Sequence, residues 1–261
     1  DNPMTYTYTG IIFACIFCVA VFTTWMCTWE AKDVREEFEP EPLGANSGGL
    51  LHHLKSLALD LLSSFKIRMF RQHIIIYIFS FTALDVFGAV FTYYVVYGLH
   101  LSASAVSGYL TVAALASVPS TFIFMMLLEK INMSPSGALR LAYGIIFCVL
   151  AFLFYVYITE MTVSVLLFSA VFAVFGFARA GLYYIPWNIY SFIPDVDEIV
   201  TKKRREGIFA GVMVLTRKST VALAIMLIGI VLQESGFVKG QGMQPLSALH
   251  AIIGLMIFAT G

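Results

Sequence analysis

Residues 193–219 read IPDVDEIVTKKRREGIFAGVMVLTRKS. Three acids, Asp195, Asp197 and Glu198, are followed by the consecutive bases Lys202, Lys203, Arg204 and Arg205, and then by an apolar run that carries Arg217 and Lys218. At 1.5 Å per residue those two bases lie some 15 Å along the run if it is helical. A charged pair so deep in apolar sequence is costly in lipid, and ionisable groups inside spans mark function by default. Neighbouring helix positions point about 100° apart, so Arg217 and Lys218 cannot both face one partner; one is expected to line a cavity while the other pairs with an adjacent helix.

The rest of the chain agrees with a membrane setting. Of 261 residues, 59% are apolar and only 12% charged, with 23 Phe and 13 Tyr. Soluble domains run at about 45–50% apolar and 25% charged. The mean hydropathy is +0.85. So few charges could not cover a soluble core of this size, which excludes a cytosolic enzyme, a disordered tail and a secreted disulfide module. A net charge of zero gives no bias towards a polyanion such as nucleic acid. Cys15, Cys18, Cys27 and Cys148 lie in or beside apolar runs, where a thiol acts as a small hydrophobe. No further Cys or His joins them at metal-ligand spacing, so no metal site is expected.

Apolar runs of about 20 residues match the hydrocarbon thickness of a bilayer. They cover Thr9–Trp29, His73–Tyr97, Ala103–Leu128, Leu139–Ile158, Val163–Ile193 and Ile208–Leu232. A seventh, Leu246–Thr260, would reach only about 22 Å as a helix. Its shortness, and an opening at Asp1 a few residues before a full span, suggest a piece of a larger protein. The segments 30–72, 129–140 and 194–207 hold Lys32, Arg35, Lys55, Lys66, Arg68, Arg71, Lys130, Arg140 and the four bases at 202–205, whereas the alternate loops hold Lys239 alone. The positive-inside rule then puts the N-terminus outside and loop 30–72 in the cytoplasm. That loop contains an acidic stretch ending in EPEP, a flexible ANSGG, and Leu50, Leu54, Leu57, Leu61 and Phe65 at helical spacing. It reads as an amphipathic helix, on the inner membrane surface or on the protein's own cytoplasmic face. His52 and His53 are expected at its start, solvated.

Besides Arg217 and Lys218, the spans hold Asp85 midway along the second run and Arg179 near the middle of the fifth. Three bases against one acid leave an excess of positive charge at depth, and buried charges need partners. The counter-charges belong either to a substrate or to a part of the protein beyond this chain. The alternative is that Asp85 and Arg179 simply pair across helices. Gly176, Gly181 and Pro186 are expected to interrupt the fifth span and kink it, and interrupted helices near mid-membrane are where transporters build sites. Trp187 offers a flat stacking face, or else belongs to the interfacial belt, towards which Tyr93 and Tyr94 also lean. Asn188 supplies both a donor and an acceptor.

The pattern of P-D, further acids, a basic stretch, Arg204-Arg205-Glu206-Gly207, a Gly-rich helix start and a lysine midway along that helix resembles one group. It is the glycoside–pentoside–hexuronide:cation symporters of the major facilitator superfamily, which include the melibiose permease. The resemblance implies an all-α integral membrane fold: the C-terminal six-helix bundle of a major facilitator plus the helix before it. Residues 1–29 would be the sixth helix, 30–72 the central cytoplasmic linker, and 73–261 the C-terminal bundle with its last helix truncated. Lys218 falls where the family places a helix-eleven lysine near the sugar and cation sites. Asp195 with Glu198 or Asp197 falls on its acidic pair at the inner end of helix ten, and Trp187 lies close to a helix-ten tryptophan. Arg217, Arg179 and Asp85 have no assigned counterpart.

The resemblance implies a cation-coupled symporter of a small glycoside, pentoside or hexuronide that works by alternating access, and not an enzyme. The substrate-binding candidates are Lys218, Trp187, Asn188, Arg179, Asp85 and Arg217. Asp195, Asp197 and Glu198 with Arg204 and Arg205 would form a cytoplasmic gate, the alternative being a solvated loop that only satisfies the positive-inside rule. The expected partners are a sugar, a coupling cation (Na⁺ or H⁺), the bilayer of a plasma (inner) membrane, and the missing N-terminal half, which would hold the main cation ligands. No organic or redox cofactor is implied. Lysolipid symporters share the pattern, which keeps an amphiphilic substrate open, and a non-transporting receptor is a further alternative. An embedded enzyme lacks support, for the chain has no HExxH, GxSxG or Walker loop, and its five histidines scatter over loops and span ends.

Overall fold

The computed structural model describes residues 3–28, 63–201, 206–239 and 243–258. The described residues are overwhelmingly helical. In chain order the helices are α1 (Pro3–Cys27), α2 (Arg68–Tyr93), α3 (Ala103–Glu129), α4 (Pro135–Thr159), α5 (Val165–Tyr190), α6 (Ile193–Thr201), α7 (Glu206–Glu234) and α8 (Leu246–Phe258). α2 ends in a π-helical turn, Tyr94–Gly98. Six of these elements are long and apolar enough to cross a membrane, α6 continuing the span of α5, whereas α8, at 13 residues, is shorter. The chain divides into two units, 1–55 and 56–261. In the first, α1 presents an apolar side chain outward at nearly every turn, as a helix solvated by lipid does.

Local sequence sets the helix ends in the second unit. Ser134 caps α4, its hydroxyl accepting from the Gly137 amide at 3.2 Å, and Pro135 follows at the first helical position, where its missing N–H costs nothing. Ser164 caps α5 in the same way through the Leu167 amide, at 3.3 Å. α4 stops at Glu160, which adopts a left-handed conformation (φ 49°).

The core lies where α2, α4 and α5 meet around Phe87, Phe91, Phe172 and Phe175, all essentially inaccessible. Tyr94, expected at the interface, is instead fully buried, and its hydroxyl donates to the Leu153 carbonyl at 2.7 Å. The phenol found an acceptor inside the bundle and so had no need of water. Tyr93 stays half-exposed and meets Phe237 edge-on.

The closest helix pair is α3 with α5, and here the structure corrects the reading of α5. That helix runs unbroken from Val165 to Tyr190 through Gly176, Gly181 and Pro186, and ends only at the Ser191–Phe192 turn. Its glycines are packing positions. A Cβ at Gly176 would lie 2.2 Å from the Ala113 carbonyl oxygen, and one at Gly181 would lie 2.5 Å from the Phe124 ring. Small residues let backbones approach this closely in membranes, where packing replaces the hydrophobic drive between helices. A proline within a spanning helix is tolerated when its neighbours satisfy the freed backbone groups.

Candidate functional site

Two ladders of side chains build the site. On α2, His73, Tyr77, Phe81 and Asp85 recur every fourth residue, and on α5, Arg179, Tyr183 and Trp187 do the same, with Tyr190 beyond them. Four-residue spacing stacks side chains on one helical face. The two ladders run antiparallel and meet rung by rung. His73 lies 6.2 Å from Tyr190 between ring centroids, Tyr77 meets Trp187 edge-on at 6.0 Å, and Phe81 meets Tyr183 edge-on at 4.8 Å. At the next rung aromatic chemistry gives way to charge: Asp85 and Arg179 line one cavity of about 380 Å³.

α7 enters from the other side. Arg217 forks onto Asp85, its Nη2 donating to Oδ2 at 3.0 Å and to Oδ1 at 3.2 Å while Nε donates to Oδ2 at 3.3 Å. Its guanidinium carbon lies 4.5 Å from the centroid of the Phe81 ring, a cation–π distance. The two partners retain 28% and 27% exposure, so the pair borders open space and is not sealed in the core. A planar guanidinium holding a carboxylate through several donors is the strongest geometry such a pair can adopt.

Asp85 therefore pairs with Arg217, and the alternative that it neutralises Arg179 does not hold. Arg179 rests 5.3 Å from the Tyr183 ring centroid. Among the described residues no carboxylate lies within ion-pair distance of it, nor of Lys218, so two of the three bases remain uncompensated there. Arg217 and Lys218 diverge as their adjacency requires: Arg217 is half-buried against α2, and Lys218 is exposed. Lys218 shares its side of α7 with Gly211, Ala222 and Gly229. A Cβ at either glycine would meet nothing within 4 Å. Lys218 does not line the cavity that holds Asp85 and Arg179.

Trp187 is 43% exposed, its ring braced by Tyr77 and by Tyr190, the latter at 5.6 Å. Asn188 is half-buried, and its backbone carbonyl accepts the Ser191 hydroxyl at 2.7 Å. The acids beyond it separate: Asp195 is exposed in the first turn of α6, Glu198 is half-buried, and Asp197 is fully buried. Their expected basic partners Arg204 and Arg205 lie outside the described residues, as do the linker with His52 and His53 and nearly all of its amphipathic stretch. The Tyr190 hydroxyl donates to the Glu206 carbonyl at 3.0 Å, joining the end of α5 to the start of α7.

Tyr77, Phe81 and Tyr183 escaped the reading of the sequence, although their four-residue spacing from Asp85 and Arg179 was the signal that would have found them. His73, at a span end in the sequence, is 2% exposed, and neither ring nitrogen has a hydrogen-bond partner among the described residues.

A family model described as MFS/sugar transport protein matches residues 1–260. The chain belongs to that family. Among curated relatives, an uncharacterized symporter of Synechocystis sp. (strain ATCC 27184 / PCC 6803 / Kazusa) is 43% identical over 95 residues. That match covers 34% of this chain and 17% of the relative, so it spans well under a fifth of the relative's length. Family and helices together make the chain an integral membrane protein of the MFS/sugar transport group.

Proposed function

We propose that this chain belongs to a cation-coupled secondary transporter that moves a small glycoside, pentoside or hexuronide by alternating access. The observation that carries the reading is the cavity beside Asp85: within a family of sugar transporters, the spans bring one carboxylate and three bases to mid-bilayer depth and neutralise only Arg217 among the described residues. Charges held there at a cost of about 2.5–3.5 kcal/mol each on insertion scales are retained for use. Cation and sugar would stabilise one closed state whose charges are otherwise unbalanced, and differential affinity for the two states is what shifts the equilibrium between them. Residues 1–29 serve as the helix before a cytoplasmic linker at 30–72, and 73–261 as the C-terminal bundle. Asp195, Asp197 and Glu198 form the acidic side of an inner gate with Arg204 and Arg205. Trp187 and Asn188 extend the site towards that gate, and Lys218 faces the partner half.

The test is uptake of radiolabelled glycosides by the full-length protein in proteoliposomes under an imposed Na⁺ or H⁺ gradient. Gradient-driven accumulation is expected, and Lys218→Ala should reduce it at least tenfold. Sugar binding with no flux under either gradient would instead make the protein a receptor.

A further inference from the structure

We infer that Arg179 is the anchor for a carboxylate on the transported sugar, so that the substrate is a uronide and not a neutral glycoside. The inference rests on the transport reading above and names the substrate class of that site.

The argument begins with what each charged group has left to offer. Arg217 is committed: three of its N–H···O contacts go to Asp85, and Phe81 covers its face. Asp85 is neutralised by that fork, yet a carboxylate has roughly four lone-pair positions and keeps acceptor capacity for a sugar hydroxyl. Arg179 has the Tyr183 ring for support and no carboxylate among the described residues. The ring lies at one side of the guanidinium, and no described residue takes its N–H donors.

Asp85 and Arg179 line the same cavity. Its volume of about 380 Å³ is of single-sugar scale, and its wall includes Asp85, Gly88, Leu110, Phe175, Arg179 and Tyr183. A Cβ at Gly88 would meet nothing within 4 Å, so the wall is open where that residue stands. The two groups differ in kind: Asp85 is an acceptor, and Arg179 is a forked donor with no ion-pair partner among the described residues. A ring that carries both hydroxyls and a carboxylate answers both, because a guanidinium takes a carboxylate through two parallel bonds. A neutral sugar would satisfy Asp85 but leave the Arg179 charge desolvated and unpaired when the cavity closes. Leaving a buried donor unmet is how a polar site rejects an analogue that lacks the matching group.

Matched probes test this on the full-length protein: methyl glycosides of glucuronate and galacturonate against those of glucose and galactose, each pair differing only in a carboxylate for a hydroxymethyl. Binding is read by tryptophan fluorescence and flux by proteoliposome uptake. Wild type should favour at least one uronide over its neutral twin by tenfold or more. Arg179→Gln should bring that ratio within about twofold, through loss of uronide affinity and relief of the penalty on the neutral sugar, and Arg179→Lys should keep part of the preference. Thermal unfolding of each variant in detergent shows that it is folded. Equal or better use of neutral sugars by wild type overturns the inference and leaves the transport reading standing. So does an equal loss on both sugars in Arg179→Gln, which would mean that the arginine answers a carboxylate of the protein itself. Uronide-selective binding that depends on Arg179 but brings no flux overturns the transport reading and keeps the anchor. Failure of all four sugars to bind overturns both.

Discussion

Between Phe175 and Trp187, α5 serves its neighbours α3 and α2 in opposite ways. Towards α3 it offers Gly176 and Gly181, and the two backbones close until a single added carbon would overlap a carbonyl. Towards α2 it offers Arg179, Tyr183 and Trp187, long side chains of which the two aromatics meet the α2 rings edge-on, and Arg179 and Tyr183 line a cavity with α2 and Leu110 of α3. The first region is bound by dispersion between close-packed atoms, which is short-ranged and intolerant of added volume. The second is held by ring edges, beside the ion pair that joins α2 to α7, and such contacts tolerate displacement and respond to charge. One helix can therefore be fixed on one side and adjustable on the other.

The sharpest way to break this comparison is to add volume on the tight side. Gly176→Ala should destabilise the bundle by about 3 kcal/mol, because the obstacle is the Ala113 backbone and cannot rotate away. Thermal unfolding in detergent measures it, and a melting temperature equal to wild type would remove the claim that the seam is close-packed. Gly181→Ala should cost less, because the Phe124 ring it meets is a side chain and can tilt.

On the open side, Asp85→Asn should cost about 2 kcal/mol by leaving the Arg217 charge without its counter-ion. Adding Arg217→Gln should recover most of that loss. A double-mutant cycle on unfolding free energies gives the coupling directly, and a coupling near zero would make the fork a geometric accident. The same single variant should impair sugar uptake far more than Gly181→Ala does, which separates the working side from the supporting one.

Smaller effects test the margins of the two regions. Tyr94→Phe should lose about 1 kcal/mol with the bond to the Leu153 carbonyl. His73→Phe should act in the opposite direction and raise the melting temperature, by about 1 kcal/mol of stability, since it replaces a buried ring with two unmet nitrogens by one with none. A loss of stability there would show that His73 has a partner in the assembled protein.

What the sequence made legible follows from the period of each signal. The spans were readable because twenty apolar residues in a row have no other use, and the family because residues 193–219 combine acids, bases and glycines in a rare order. Asp85, Arg179 and Arg217 stood out as charges where charge is expensive. Which of them pair was not readable, because the answer depends on how α7 lies against α2. The divergence of Arg217 from Lys218 needed only helix geometry and was expected; that Arg217 would be the one to take Asp85 was not. Gly176, Gly181 and Pro186 misled for a definite reason. Glycine weakens a helix in water, yet in lipid it permits close contact, and the two meanings look alike until the neighbour is known. Tyr94 misled because an aromatic near a span end suits either the interface or a buried acceptor.

The notch at Gly176 also bears on mechanics. With the Ala113 carbonyl seated where a side chain would stand, α3 and α5 cannot slide along one another unless one first lifts out of the other. They travel as a single lever. Any stroke that opens or closes the space around Arg179 then falls to softer seams: α5 against α2, where rings can roll over one another, and α2 against α7, where a salt link can let go.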